Sequence, residues 1–353
     1  MSLIRKHALL LSVLSALMLS IAAPYLIPEN PDSPVFRSGT LGALLIAASA
    51  FPVYQAFSRA NRRMLISGFV FGWLFSAALG LGSELLIYDG LLHGMGSLIR
   101  RVAVPFLASP CLGGLCARML MADLPIRHGE RSCPPVWAHA LLLFLCWLPV
   151  LLAFYPGMLN YDFATEYTQH LEGRYSNIHP LLHSALMNGI ITLGEWMASR
   201  TWGVLLMSLL QMVCFSLALA YSCVFARRRG VPAWAVAVMM AFYALHPVFS
   251  VMSVSMTKDT LFAAAVLVFS LKTWEMIETP ASFFANRRTC AFYVVLGVGS
   301  SLLRNNGVFA LLLMFPALLI TLRGFRRRVM RLYLFCGLGC AAVMGMLTLA
   351  LHP

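Results

Sequence analysis

The 353-residue chain is 60% hydrophobic and only 11% charged, with a mean hydropathy of +0.81, which leaves too little polar surface for a soluble globule and makes lipid its solvent. Its net charge of +13 comes from short arginine clusters between apolar runs, not from one basic face, so it argues for a membrane topology signal and against a nucleic-acid partner. Apolar runs long enough for a helix to cross a bilayer recur along the chain without the alternation of barrel strands, so the expected class is all-α, a polytopic transmembrane helical bundle.

Arg5 and Lys6 precede a long apolar run ending in Ala22-Ala23, a pattern shared with signal peptides; the length of the run and the spans that follow favour an uncleaved first span. Spans at 8–27, 39–57, 64–87 and 102–121 make residues 1–135 an N-terminal four-span module poor in intramembrane charge. Residues 136–353 form the core, with spans at 136–154, 203–225, 232–255, 259–277, 290–303, 308–322 and 332–351, about eleven spans in all. The chain stops at His352-Pro353 as the last span reaches the outer face, which reads as a short family member or a truncated product. The nine cysteines fall in spans or, for Cys133, in a predicted inner loop, so neither a disulfide framework nor a zinc spacing is implied.

With Arg5 and Lys6 in the cytoplasm of a plasma or inner-membrane protein, Arg59/Arg62/Arg63, Arg118/Arg127/Arg131, Arg227 to Arg229, Arg287/Arg288 and Arg323 to Arg331 all fall inside. Nineteen of the 26 Lys and Arg then lie inside, and 9 of the 13 Asp and Glu outside. The same parity rules out a span over 181–198, which His183, Asn188, Gly194 and Glu195 interrupt; it reads as an interfacial or re-entrant helix within a long outer loop, 155–202. It also splits 290–322 into a hairpin turning at Arg304-Asn305-Asn306-Gly307.

Four polar stretches gather at the outer face: Tyr155 to Glu166, Asn177-Ile178-His179-Pro180, Ser255 to Thr260, and Arg304 to Gly307. Charges near the membrane are expensive and therefore point to function. Thr257 is placed to cap an outward helix N-terminus beside Lys258. Arg304 precedes a second such terminus through a turn in which Asn305 and its neighbours can take positive φ. Together they suit a phosphate cradle; against it stand an ion pair of Lys258 with Asp259 and snorkelling of both cations. Asp162 and Glu166, four residues apart, share a helix face and suit a general base or a divalent cation, against an ordinary solvated loop. His179 and His246 both precede proline at helix boundaries, where capping is the commoner role; His179 shares the outer loop with Asp162 and is the better candidate.

The strings YPGMLNYD, NIHP, SMTKDT and LRNNG resemble the GT-C superfamily of integral membrane glycosyltransferases, in particular the uncharacterised bacterial relatives of the dolichyl-phosphate-mannose protein mannosyltransferases, over roughly residues 150–322. The resemblance implies a GT-C-like core with interfacial helices in the outer loop, and transfer of sugar from a polyprenyl-phosphate or polyprenyl-diphosphate donor to an acceptor at the extracytoplasmic face. It would make Asp162 the base, with Glu166 and His179 beside it, and give Lys258, Arg304 and Asn305 the carrier phosphate. Some members use a divalent cation, so Mg or Mn held by Asp162 and Glu166 is left open. The family's loop usually follows the first span and carries a second acidic residue next to the aspartate or one apart. Here it follows five spans, Asp162 has no such neighbour, and the large C-terminal domain of many members is missing. The partners implied are the lipid-linked donor, membrane lipids and an unidentified acceptor. A transporter or lipid flippase with an outward anion-binding cavity is the alternative.

Overall fold

The computed structural model describes residues 2–26, 39–88, 95–121, 134–175, 179–305 and 307–351. Arg127, Arg131, Cys133, Asn177, Ile178, Asn306, His352 and Pro353, which figure in the sequence reading, lie outside the described residues. Among the described residues the regular structure is helical, with one isolated β-bridge between Met158 and Ser255. The chain divides into two compact units, residues 1–124 and 125–353.

The first unit contains α1 (Ser2–Lys6), α2 (Ala8–Leu26), α3 (Gly39–Arg59), α4 (Arg62–Tyr88) and α5 (Met95–Leu120). Between helices in lipid there is no hydrophobic force, so close backbone packing must hold them. Here α4 and α5 meet at glycine: a Cβ on Gly68 would lie 2.4 Å from the Gly113 carbonyl oxygen. The outward faces of α2 and α4 carry exposed Leu9, Leu10, Phe71 and Leu74, as expected of surfaces turned to lipid.

The second unit contains α6 (Val136–Ala153), α7 (Tyr161–Glu172), α8 (Leu181–Met197), α9 (Arg200–Arg228), α10 (Ala233–Leu245), α11 (Pro247–Val254), α12 (Lys258–Glu278), α13 (Pro280–Ala285), α14 (Arg287–Leu302), α15 (Gly307–Thr321) and α16 (Arg326–Leu351), the last preceded by a 3-10 turn at Arg323–Phe325. Its core packs Leu143 and Trp147 of α6 on Met212, Phe215 and Leu219 of α9.

Among the described residues eight helices are long and apolar enough to cross a membrane, or nine if α10 and α11, bent by 53° at His246–Pro247, make one broken span. The chain is a multi-pass helical membrane protein. The expected total near eleven also counts the hairpin at 290–322, where α14 and α15 have 16 and 15 residues. These are about 24 and 22 Å long, short of a hydrocarbon core of about 30 Å. His246 is a cap: its Nδ1 accepts from the Val248 amide at 3.3 Å and its ring packs on Phe242.

The second unit has two chemically different ends. Lys258 at the start of α12 lies by Asp162, whereas Glu278 at its end pairs with Arg229 at 2.6 Å. Helix α9 runs the same way, from Arg200 over the Tyr167 ring to Arg229. Exposed Trp137, Trp234 and Trp274 ring the arginine end, and exposed Tyr155, Tyr161, Trp196 and Trp202 the other. Two such belts are what membrane interfaces select. With 29 residues, α9 is about 43 Å long and exceeds the hydrocarbon thickness. Its Gln211 meets the carbonyls that precede α12, so about 16 Å of α9 stands beyond the start of α12. Helix α8 lies against this overhang. Its Gly194 sits so close to Gly203 that a Cβ there would be 2.1 Å from the Gly203 nitrogen.

Candidate functional site

The site is built where the chain leaves α6 and where it breaks before α12. Gly157 lies against Ser208, whose Oγ would be 2.1 Å from any added Cβ. The next residue forms the bridge: the Met158 amide donates to the Val254 carbonyl at 2.9 Å, and the Met256 amide to that of Met158 at 2.9 Å. Gln211 of α9 donates from Nε2 to the Ser255 carbonyl at 2.9 Å, satisfying backbone that the helix break leaves open.

Asn160 caps α7 by accepting from the Phe163 amide at 2.9 Å, and Gly173 closes it at φ 64 in the left-handed region. Helix α7 buries Phe163, Glu166 and Tyr167 on one face. Asp162, in its first turn, lies partly exposed at the rim. Glu166, one turn on, is wholly buried. The two carboxylates therefore share a face, as their spacing requires, but stand in different surroundings.

Thr257 caps α12, its Oγ1 accepting from the Asp259 amide at 3.3 Å. Lys258 Nζ lies 3.1 Å from Asp162 Oδ2 and 3.4 Å from His179 Nδ1. An ammonium can only donate, so this contact puts any single ring proton of His179 on Nε2. His179 Nδ1 is 3.7 Å from Glu166 Oε1, beyond hydrogen-bond range. Glu166 Oε2 accepts from Ser184 Oγ at 2.6 Å and from His183 Nδ1 at 2.9 Å. These two partners on α8 offset the desolvation that a buried carboxyl group suffers. Nε2 of His183 is buried without a protein partner.

Arg304 Nη1 is 3.0 Å from Asp259 Oδ1, an ion pair without the direction of a hydrogen bond, and its guanidinium lies 5.7 Å from the centre of the Phe262 ring. Asn305 follows in the turn to α15, whose first residue, Gly307, packs so tightly that a Cβ would lie 2.0 Å from the Ser300 carbonyl oxygen. The starts of α12 and α15 thus lie at one end of the unit, joined by the Arg304–Asp259 pair.

Pairing differs from the expectation of two open cations. Lys258 faces Asp162, not its neighbour Asp259, and Asp259 faces Arg304. A divalent cation at Asp162 and Glu166 does not fit these surroundings. An ammonium lies 3.1 Å from one carboxylate, the other is engaged by His183 and Ser184, and no group of three metal-ligating side chains occurs among the described residues. His183, Ser184 and Gln211 complete the cluster, and no motif singled them out. Their signal in the sequence was polarity inside otherwise apolar helices.

Around the cluster, Glu195 accepts from Arg200 Nε at 3.1 Å and from the Tyr167 hydroxyl at 3.1 Å. The Arg200 hydrogen bond holds the Glu195 carboxyl below its ordinary value, while burial and then the Glu195 acceptor raise the Tyr167 phenol. An apolar cavity of about 680 Å3 opens among α8, α9, α12 and α14. Leu182 and Leu303, next to His183 and Arg304 in the chain, and Leu261, three residues after Lys258, line one end, and Tyr221 and Phe292 line the other.

A protein-family model described as a family of unknown function, DUF6020, matches residues 170–351, just over half of the chain, and the chain belongs to that family. The match takes in His179, Lys258 and Arg304 and begins after Asp162 and Glu166. No curated protein and no solved structure matches the chain.

Proposed function

We propose that this member of the DUF6020 family is a glycosyltransferase that moves sugar from a polyprenyl-phosphate or polyprenyl-diphosphate carrier to an acceptor at the extracytoplasmic face. The observation that carries the reading is the Asp162–Lys258 pair at the N-terminus of α12, with Arg304 close by and an apolar cavity leading away from it. The positive-inside rule assigns the arginine end to the cytoplasm and this end to the outer side.

The carrier phosphate replaces the two aspartates as partner of Lys258 and Arg304, aided by the helix N-terminus, and its apolar chain enters the cavity. Release from Lys258 leaves Asp162 free to take the proton of the acceptor hydroxyl. That oxygen bonds to the anomeric carbon, the bond from this carbon to the phosphate oxygen breaks, and the electron pair leaves with the carrier phosphate. Lys258 and Arg304 then stabilise the added negative charge. Glu166 and His179 act behind this pair, Glu166 by holding α7 on α8 and His179 by orienting the Lys258 ammonium.

Purified protein supplied with a polyprenyl-phosphate sugar tests the reading: release or transfer of sugar supports it, and intact donor under all conditions sinks it. The 53° break between α10 and α11 favours a second reading, a lipid flippase, since broken spans line transport paths. Movement of labelled carrier between vesicle leaflets with the sugar still attached would select the flippase.

A further inference from the structure

At the arginine end of the second unit, away from the Asp162–Lys258 pair, a separate cavity of about 460 Å3 lies between α6 and α10. Leu142 and Cys146 of α6 form one wall. Ala237 and Ala241 of α10, one turn apart, form the other, and their small side chains leave a trough along the helix. Arg227 and His139 also line it, and among the described residues they are its charged or ionisable polar side chains besides the Cys146 thiol.

Among the described residues each makes one hydrogen bond to a backbone carbonyl and pairs with no carboxylate. Arg227 donates from Nη1 to the Val231 carbonyl at 3.0 Å, which closes the turn after α9 and fixes the guanidinium. Among the described residues no carboxylate lies within ion-pair reach of it, whereas Arg229, two residues on, is neutralised by Glu278. His139 uses Nδ1 toward the Pro135 carbonyl at 3.3 Å, which leaves Nε2 for another group.

We propose that this cavity binds one anionic phospholipid, its phosphate on Arg227 with His139 alongside and an acyl chain in the alanine trough of α10. An apolar trough of this size in a membrane-spanning unit is filled by the surrounding solvent, which is lipid. A guanidinium held at its mouth selects phosphate, which it meets through paired donors. Its position among the arginines places the headgroup at the membrane surface where anionic lipids concentrate. The proposal is independent of the chemistry at the other end of the unit.

The test uses the full chain in detergent micelles carrying phosphatidylglycerol or phosphatidylcholine with the same acyl chains, with retained lipid read by native mass spectrometry. Phosphatidylglycerol should be retained in preference. Arg227→Gln should lower that preference about fivefold, the effect of one cation near a charged headgroup. Ala237→Phe, which fills the trough, should lower retention of both lipids. Arg228→Gln, exposed on the same helix end and outside the cavity, should change neither. Equal retention of the two lipids by the unaltered protein overturns the proposal, as does an Arg228→Gln effect equal to that of Arg227→Gln. Protection of Ala237→Cys from a maleimide in lipid-stripped protein would show another protein segment in the trough and also overturn it. Should Arg227→Gln unfold the α9–α10 turn, undiminished retention in Ala237→Phe is decisive against the site.

Discussion

The carboxylate of Asp162 on α7 lies 3.1 Å from the ammonium of Lys258 on α12, so the proposed base and the proposed phosphate ligand are each other's partners. Carrier binding must part them. Lys258→Ala and Arg304→Ala should each weaken binding of a polyprenyl phosphate about tenfold or more, the usual loss for one charge-assisted contact. Binding of fluorescent carrier to the purified variants checks this. Unchanged affinity in both removes the cradle.

Asp162→Asn keeps the shape of the side chain and removes its charge and basicity. Sugar transfer should fall by about a hundredfold to ten-thousandfold, the range for loss of a general base. The thermal unfolding midpoint should hold, because Asp162 is partly exposed at the rim. Full transfer activity in this variant would leave Asp162 without the proposed role.

Glu166 should matter to stability more than to chemistry. Glu166→Ala strands the His183 and Ser184 donors in a buried site, at a cost of about 2 kcal/mol or more. Glu166→Gln retains an oxygen that can accept from one of them and should lose less. Unfolding in a mild detergent measures both, and an unshifted midpoint for Glu166→Ala would contradict the buried network.

Gly194 and Gly203 let α8 approach the overhanging start of α9. Gly194→Ala should force the two backbones apart and destabilise the unit by about 1–3 kcal/mol. Gly189→Ala, on the same helix with open space at its Cβ position, is the control and should be neutral or slightly stabilising. Equal behaviour of the two variants would argue against the close approach.

Much of this arrangement was legible from residue order. Hydropathy located the long helices, the i, i+4 spacing put Asp162 and Glu166 on one face, and Thr257 marked the start of α12. Within the second unit, the separation of Arg229 from Lys258 reappears as the opposite ends of α12. Partner choice was not legible. Asp162 and Asp259 compete for Lys258, and only the placement of α7 over α12 decides between them. His183 and Gly194 counted in the sequence merely as interruptions of an apolar run. Their reasons are a buried carboxyl on α7 and a glycine on α9, neither of which local pattern can reveal.

The two ion pairs also set what the site can attract. Asp162, Lys258, Asp259 and Arg304 sum to no net charge, so the resting mouth casts little long-range field. A free phosphate ion arriving from water must break two existing pairs and gains no compensating burial of its own. A ligand that brings an apolar chain to the cavity among α8, α9, α12 and α14 gains that burial as it displaces the aspartates. Under the proposed function, electroneutrality at the entrance thus acts as a filter against small soluble anions and in favour of an amphiphile.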